Sequence, residues 1–126
     1  MKKNKNIFES IRCALNGIVI GFKEERNLVI YIFIAVIFFF FNMLLKSTSI
    51  EFAIFFILCF IVFSIEYINT AIERVVDKFI IKKDENAKFI KDVSAASVLI
   101  VGICFFIVEG IILIPKLITM WGRLWF

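Results

Sequence analysis

Three long apolar runs, separated by short polar stretches, dominate the sequence. The first, from Leu28 to Leu45, is almost unbroken, and the second, from Phe52 to Ile65, continues as a helical pattern with one polar face. The third begins with charged residues and is purely apolar from Val98 to Val108. Because about 20 apolar residues in a helix cross a bilayer, we expect three spanning helices, the last ending near Pro115. Their expected bounds are about 28–45, 50–81 and 88–118.

A shorter pattern precedes the first span. Apolar residues recur between Ile7 and Phe22 at the spacing of one helix face, and polar residues such as Glu9 and Arg12 fall opposite. This pattern predicts an amphipathic helix over about residues 5–23 that lies in the membrane interface. The expected fold is therefore an all-α integral membrane protein, with one domain over residues 1–126 that comprises a surface helix and three spans.

Composition supports this fold and sets an orientation. Of the 126 residues 62% are apolar, far above the share in soluble domains, and the absence of histidine excludes histidine-based catalysis or metal binding. Twelve of the fifteen Lys and Arg residues lie before the first span or around the loop after the second, whereas Lys46, Lys116 and Arg123 lie on the other side. The positive-inside rule then places the amino terminus and the second loop in the cytoplasm of a cell-membrane protein.

Four polar residues form a stripe on the second helix. Glu66, Asn69, Glu73 and Asp77 are spaced at i, i+3, i+7 and i+11, which places them on one face near the cytoplasmic end. A charge at a helix centre costs about 2.5–3.5 kcal/mol, so Glu66, the deepest of the four, is expected to face protein or a water-filled cleft. Three interpretations remain at this point: a helix end leaving the membrane, a proton or cation path, or a metal-phosphate site.

Other polar residues at the same membrane level favour the metal-phosphate interpretation. Glu25 precedes the first span, and Mg²⁺ typically binds one or two carboxylates together with substrate phosphates. Lys91 supplies a cation for phosphate and Asp92 a further polar partner, although Lys91 also fits a simple positive-inside anchor. The sequence contains neither a P-loop nor the protein-kinase motifs, so a nucleotide would be bound in another way.

Two segments resemble one family. The strings from Glu66 to Asp77 and from Ala87 to Val98 are similar to those of the small bacterial integral-membrane lipid kinases, the diacylglycerol kinase and undecaprenol kinase family. The resemblance extends to Asn16-Gly17-Ile18 and Glu25-Arg26-Asn27. It implies a homotrimer with active sites shared between subunits at the cytoplasmic face. It also implies transfer of the γ-phosphoryl group of MgATP to a lipid alcohol, with ATP, lipid, membrane and self as partners and no nucleic acid.

The resemblance also implies residue roles. Glu66 would be the general base that takes the proton from the lipid hydroxyl, and Glu25 with Glu73 would hold Mg²⁺. Asn69 and Asp77 would support the Mg²⁺ site, with Asn69 also beside the acceptor, and Lys91 and Asp92 would contact the nucleotide.

Departures from the family pattern point to one branch. Where the family often has an acidic residue, an aromatic residue and a histidine that touch the nucleotide, this chain has Lys82, Lys83 and Asp84, so Asp84 or Glu85 is expected to substitute. Ala95 replaces the serine of the diacylglycerol branch, which favours undecaprenol as the acceptor, with diacylglycerol as the alternative. A small oligomeric cation or proton transporter is the alternative of a different class. Glu109 has no family counterpart, and we expect it to reach the outer interface or to pair across the trimer.

Overall fold

The computed structural model describes residues 6–80, 82 and 84–125, the last without its side chain. These residues form four helices and no strand: α1 (Ile7–Glu24), α2 (Arg26–Leu44), α3 (Ser49–Phe79) and α4 (Glu85–Trp125). Helices α2, α3 and α4 are each long and apolar enough to cross a membrane. The predicted helical class with three candidate spans is confirmed.

The observed helix bounds lie close to most of the expected ones. Helix α1 occupies nearly the whole of the expected surface helix, and α2 and α3 each begin one or two residues before the expected starts. The expected first residue of the surface helix, Lys5, and the expected last residue of the second span, Ile81, lie outside the described residues. The same holds for Lys2, Lys3 and Lys83.

The sequence predicts that the last helix ends near Pro115. This prediction is wrong, because α4 continues to Trp125 with the proline inside it. Proline has no N–H to donate to the carbonyl four residues earlier, so it normally ends or kinks a helix in water. In a membrane helix, neighbouring side chains and local adjustments satisfy the freed backbone groups. The turn after Pro115 is reinforced by Thr119, whose hydroxyl donates to the Pro115 carbonyl over 2.9 Å.

The connection between α2 and α3 is a tight turn built by backbone capping. Lys46 adopts a left-handed conformation with a φ of 52°, and the Ser47 N–H donates to the Asn42 carbonyl over 2.9 Å. This pattern satisfies carbonyls at the end of α2. Thr48 and Glu51 then form a reciprocal capping box at the start of α3. Because the turn makes α2 and α3 antiparallel, the start of α2 and the end of α3 lie together at the end of the bundle beside α1. The turn itself lies at the opposite end of the bundle.

An aromatic core separates the two ends of the bundle. Phe55, Cys59 and Val62 of α3 and Phe105 of α4 are buried together, and rings of α2 such as Phe38 pack against them. The Phe38 and Phe105 rings meet edge to face, with centroids 5.1 Å apart. Many other large apolar side chains point outward and are exposed, as expected for surfaces that contact lipid.

Glu109 lies inside the bundle near its opposite end, so its expected position at the outer interface is wrong. Its side chain has no exposed surface, and its Oε2 atom accepts a 2.8 Å hydrogen bond from the Asn42 Nδ2 atom. Asn42 is equally inaccessible and also donates to the Phe38 carbonyl over 3.0 Å. The interruption of the first apolar run by Asn42 thus finds its partner within the same chain.

We predict that truncation of Glu109 destabilises the bundle and that amide replacement does not. Glu109→Ala leaves the buried Asn42 amide short of a partner and opens a cavity, at a cost of about 2–4 kcal/mol. Glu109→Gln keeps the shape and an oxygen acceptor, so its stability should stay within about 1 kcal/mol of wild type. Thermal unfolding in detergent micelles, followed by circular dichroism, measures both. Equal losses for the two variants would contradict this account.

Helix α1 is attached to α3 by a close approach at Gly21. The Tyr67 hydroxyl donates to the Ile18 carbonyl over 2.8 Å, and the Tyr67 ring packs edge to face on Phe22. An added Cβ atom at Gly21 would lie 2.1 Å from the Tyr67 Cε1 atom, so only glycine fits there. An ion pair between Glu24 and Arg74 holds the end of α1 on the same helix.

We predict opposite effects for alanine at the two glycines of α1. Gly21→Ala collides with a ring held by its hydrogen bond, at a cost of about 1–3 kcal/mol, and should release α1 from α3. Gly17 has nothing within 4 Å of the added atom, so Gly17→Ala should gain up to about 1 kcal/mol of helix propensity. Hydrogen exchange of the α1 amides tests this, because it reports local opening. Faster exchange in both variants would contradict the close approach.

Candidate active site

The site begins at the break between α1 and α2. Glu25 has extended backbone angles, with φ −104° and ψ 106°, and its N–H still closes α1 by donating to the Gly21 carbonyl over 2.8 Å. Helix α2 starts at the next residue. The break therefore places the Glu25 carboxylate at the end of the bundle beside α1, next to the polar face of α3.

Glu66 is the buried carboxylate of this end. Only 2% of its surface is accessible, and its Oε1 atom accepts a 3.1 Å hydrogen bond from the Asn27 Nδ2 atom in the first turn of α2. The Tyr31 phenol, one helical turn later on α2, also interacts with the Glu66 carboxylate. The prediction that Glu66 faces protein is confirmed by these contacts, and they come from a neighbouring helix.

Asn69 and Glu73 extend the site toward the end of the bundle. The Asn69 Nδ2 atom donates to the Glu73 Oε1 atom over 3.2 Å, one turn along α3. Asn69 is buried, and its Oδ1 atom has no hydrogen-bond partner. Glu25 and Glu73 both lie within electrostatic range of Glu66, so negative charge accumulates at this end of the bundle. Such an arrangement is favourable only when a cation or a proton neutralises part of the charge.

A cavity of about 410 Å³ opens beside Glu66. Its polar lining is confined to one end, which is formed by Asn27, Tyr31, Glu66, Asn69 and Glu73. Beyond this end the lining is apolar, with contributions from all three long helices: Ile34, Ala35, Cys59, Val62, Phe63, Ala95, Val98, Leu99, Gly102, Ile103, Phe105 and Phe106. Several of the α4 residues are also exposed at the surface, including Leu99 and Ile103. The cavity therefore suits a molecule with one polar end and a hydrocarbon body.

Asp77 and Lys91 form an ion pair between α3 and α4. The Lys91 Nζ atom lies 2.8 Å from the Asp77 Oδ1 atom, and the Asp77 side chain is 63% exposed. Exposed pairs of this kind contribute little to stability. The pair nonetheless fixes the positively charged Lys91 ammonium group beyond Glu73, toward the end of α3.

The remaining predicted site residues occupy the start of α4. Asp84 caps this helix, because its Oδ1 atom accepts from the backbone N–H of Asn86 over 2.7 Å and of Ala87 over 3.3 Å. Asp92 is exposed, and Ala95 lines the cavity. The roles of Asp84 and Asp92 toward a nucleotide remain predictions.

The oxygen atoms of the side chains at the end of the bundle beside α1 fit a hard cation that is already bound to other ligands when it arrives. In the described part of the chain, no group of three or more acidic, cysteine or histidine side chains is close enough to hold a metal alone. Mg²⁺ does not need such a group, since it uses one or two carboxylates together with phosphates and water. Glu25 and Glu73 supply carboxylates, and the unpartnered Asn69 oxygen supplies a neutral acceptor.

Asn27 and Tyr31 belong to the candidate site but were not predicted from the sequence. Both carry hydrogen-bonding groups and lie one helical turn apart in a mostly apolar helix. Their spacing puts them on one face of α2. What the sequence did not reveal is that this face meets Glu66.

The fold and the site together define a small helical protein of the multi-span membrane type, with an acidic cleft at the polar end of an apolar cavity. The family model for prokaryotic diacylglycerol kinase matches residues 12–113. The chain belongs to this family. The predicted family is confirmed.

Two curated relatives agree with this membership. The chain is 34% identical over 116 residues to a diacylglycerol kinase from Synechocystis sp., a match that covers 91% of this chain and 66% of the relative. It is also 34% identical over 110 residues to the undecaprenol kinase of Bacillus subtilis, covering 87% of this chain and 89% of that protein. The chain thus spans slightly less than two thirds of the first relative. No solved structure gives a significant match.

We predict that Lys91 contributes more to the binding of a phosphate ligand than to the stability of the fold. Lys91→Gln removes the ion pair with Asp77, and because the pair is exposed, thermal unfolding in micelles should be unchanged. The KM for ATP should rise about tenfold, as expected when a charged hydrogen bond to phosphate is lost. Lys88→Gln, one turn earlier on α4 and exposed, is the control and should change neither quantity. A fall in stability without a change in KM would identify Lys91 as a structural anchor.

Proposed function

We propose that this protein is an ATP- and Mg²⁺-dependent lipid kinase that phosphorylates a membrane alcohol at the cytoplasmic face of the cell membrane. One observation carries the proposal: Glu66 is buried at the polar end of an apolar cavity, with further carboxylates toward the end of the bundle. A water-soluble donor can approach from that end while a lipid occupies the cavity. Membership of a kinase family supplies the reaction class.

Glu66 acts as the general base. Its carboxylate takes the proton of the acceptor hydroxyl as the hydroxyl oxygen attacks the γ-phosphorus of ATP. A new oxygen–phosphorus bond forms, the bond between the γ-phosphorus and the bridging oxygen breaks, and ADP leaves with that oxygen. Glu66 then releases the proton to water. Its burial beside the cavity keeps the base close to the acceptor and away from competing solvent.

The other polar residues bind and orient the phosphates. Glu25 and Glu73 are the residues that would hold Mg²⁺, and the Asn69 amide orients the Glu73 carboxylate. When bound, the metal supplies positive charge that offsets the charge spread over the β- and γ-phosphates. Lys91, at the outer rim, attracts the phosphate chain, and Asp77 positions its ammonium group. Asp92 contacts the nucleotide from the first turns of α4, and Asp84 fixes where those turns begin.

The cavity favours undecaprenol over diacylglycerol as the acceptor. A polyprenyl alcohol has its hydroxyl as the single polar group, and the cavity has polar residues at one end alone. Diacylglycerol would bring two ester groups next to apolar side chains such as Val98, and Ala95 offers them no hydroxyl. The outward exposure of Leu99 and Ile103 allows a long chain to enter from the lipid side and to remain mostly in the bilayer.

Subunit number and orientation complete the proposal. Three copies form the enzyme, in which the apolar face of α1 lies on the cytoplasmic leaflet and neighbouring subunits share each active site. Apolar residues of α1 such as Phe8 and Leu15 are exposed, which supports contact with lipid. Ala95 and Ala96 leave room for a neighbouring helix beside the cavity.

The alternative of a proton or cation path has no comparable support. Asn27 and Asn42 mark the two polar levels on α2, and fifteen residues at 1.5 Å each separate them by about 22 Å. The described core between these levels is apolar and includes the packed rings of Phe38, Phe55 and Phe105. A path would have to carry charge through this layer, which is costly.

We predict that Glu66→Gln lowers the transfer of labelled γ-phosphate to lipid by at least about 100-fold, as expected for loss of a general base. The assay uses purified protein in detergent micelles with MgATP, and with either undecaprenol, diacylglycerol or no added lipid. Glu109→Gln is the matched control, since it neutralises the other fully buried glutamate of the bundle and should retain activity.

The three lipid conditions decide between the outcomes. Phosphorylation of undecaprenol above diacylglycerol supports the proposed acceptor, and the reverse order assigns the alternative one. No Mg²⁺-dependent phosphorylation of either lipid, in protein that is folded by circular dichroism, would overturn the kinase function. Equal inactivation by Glu66→Gln and Glu109→Gln would remove the assignment of Glu66 as the base.

A further inference from the structure

We infer that Asn27, assisted by Tyr31, is the positioning residue that orients the Glu66 carboxylate for proton transfer. This inference rests on the proposed function, because it concerns how the proposed base is held. The Asn27 Nδ2 atom donates to the Glu66 Oε1 atom over 3.1 Å across the α2–α3 contact. Both side chains line the cavity, so the bond lies where an acceptor hydroxyl would arrive.

A base needs orientation as well as proximity. A glutamate side chain rotates about three bonds, and a displacement of about 1 Å in a catalytic group can reduce a rate 100-fold. The Asn27 bond fixes one oxygen of Glu66 and thereby the direction of the remaining lone pairs. Tyr31 interacts with the same carboxylate from one helical turn further along α2. Asn27 and Tyr31, both on α2, thus hold Glu66 of α3 from a neighbouring helix.

The position of Asn27 follows from the break at Glu25. Helix α2 starts at Arg26, so Asn27 lies in its first turn, two residues after a proposed ligand of Mg²⁺. The same short segment therefore positions both the Glu25 carboxylate, on the side of the phosphates, and the Asn27 amide, beside Glu66. A shift of the start of α2 would move both together, which couples the position of the base to that of the donor phosphates.

The exposure of Asn27 argues against a purely structural role. Asn27 is exposed apart from its amide contact, whereas Asn42, on the same helix, has no exposed surface. Removing Asn27 therefore opens little buried volume, and the fold loses little packing. What it does remove is a donor to a buried carboxylate, and this acts on Glu66 directly.

The test compares three substitutions of Asn27 with Tyr31→Phe, in the same micelle assay with the wild-type enzyme alongside. Asn27→Ala should lower kcat about 10- to 100-fold, the range for a lost hydrogen bond to a charged group, with the KM values for ATP and lipid within about twofold. Asn27→Asp, which has the same shape but replaces the donor by a second negative charge, should be at least as low. Asn27→Gln, which restores a donor on a longer side chain, should recover part of kcat.

Tyr31→Phe should also lower kcat, and combination with Asn27→Ala should give less than the product of the two effects, because both residues act through Glu66. Asn42→Ala is the control: it removes a buried amide from the same helix, so it should lower the unfolding temperature and leave kcat of the folded enzyme unchanged. Unfolding of every variant is measured in parallel, so that a loss of folded protein is distinguished from a loss of kcat.

The possible failures are distinct. If wild type is active and Glu66→Gln is not, the proposed function stands. An unchanged kcat in Asn27→Ala would then overturn the positioning role alone. A rise in KM with kcat unchanged would also overturn it, since this would make Asn27 a residue that only binds substrate. A wild-type enzyme without transfer activity would overturn the proposed function and this inference with it.

Discussion

The cost of burying polar side chains inside an apolar bundle shapes this structure. A membrane interior supplies no water to hydrogen-bond an amide or a carboxylate, so such groups are costly unless protein satisfies them. Two cross-helix hydrogen bonds reduce this cost, Asn27 with Glu66 at the end beside α1 and Asn42 with Glu109 at the opposite end. Each contact fixes α2 relative to a neighbouring helix. Few other side chains of α2 form polar contacts with a neighbouring helix, because many of them are exposed and point away from the bundle.

The two contacts differ in ways that explain why only one lies at a site. Asn42 and Glu109 are fully enclosed, and neither lines the cavity beside Glu66. Glu66 is buried but borders an open cavity, and Glu25 and Glu73 are close enough to interact with it. A structural pair needs only mutual satisfaction. A reactive carboxylate also needs access for its substrate, and the cavity at the end beside α1 offers this access.

Sequence patterns predicted the helices, because hydrophobic periodicity depends on local spacing alone. They also predicted the polar stripe of α3, since Glu66, Asn69 and Glu73 share one face of one helix. The partners of that stripe were not predictable, because the choice of Asn27 and Tyr31 depends on how α2 packs against α3. Glu109 was misplaced for the same reason, as its partner lies 67 residues away. The continuation of α4 through Pro115 was missed because a rule that holds in water was applied to a membrane helix.

The break at Glu25 links α1 to the proposed site. Helix α1 is held on α3 by the Tyr67 hydrogen bond and by the close approach at Gly21, and the end of α1 sets where α2 begins. Because Glu25 and Asn27 follow that break directly, the attachment of α1 determines the positions of a carboxylate and of the amide that holds Glu66. Helix α1, proposed to lie on the lipid surface, and Glu66, the proposed base, are thereby parts of one structural unit. For an enzyme whose acceptor arrives through the membrane, this arrangement would tie the state of the lipid surface to the geometry of proton transfer.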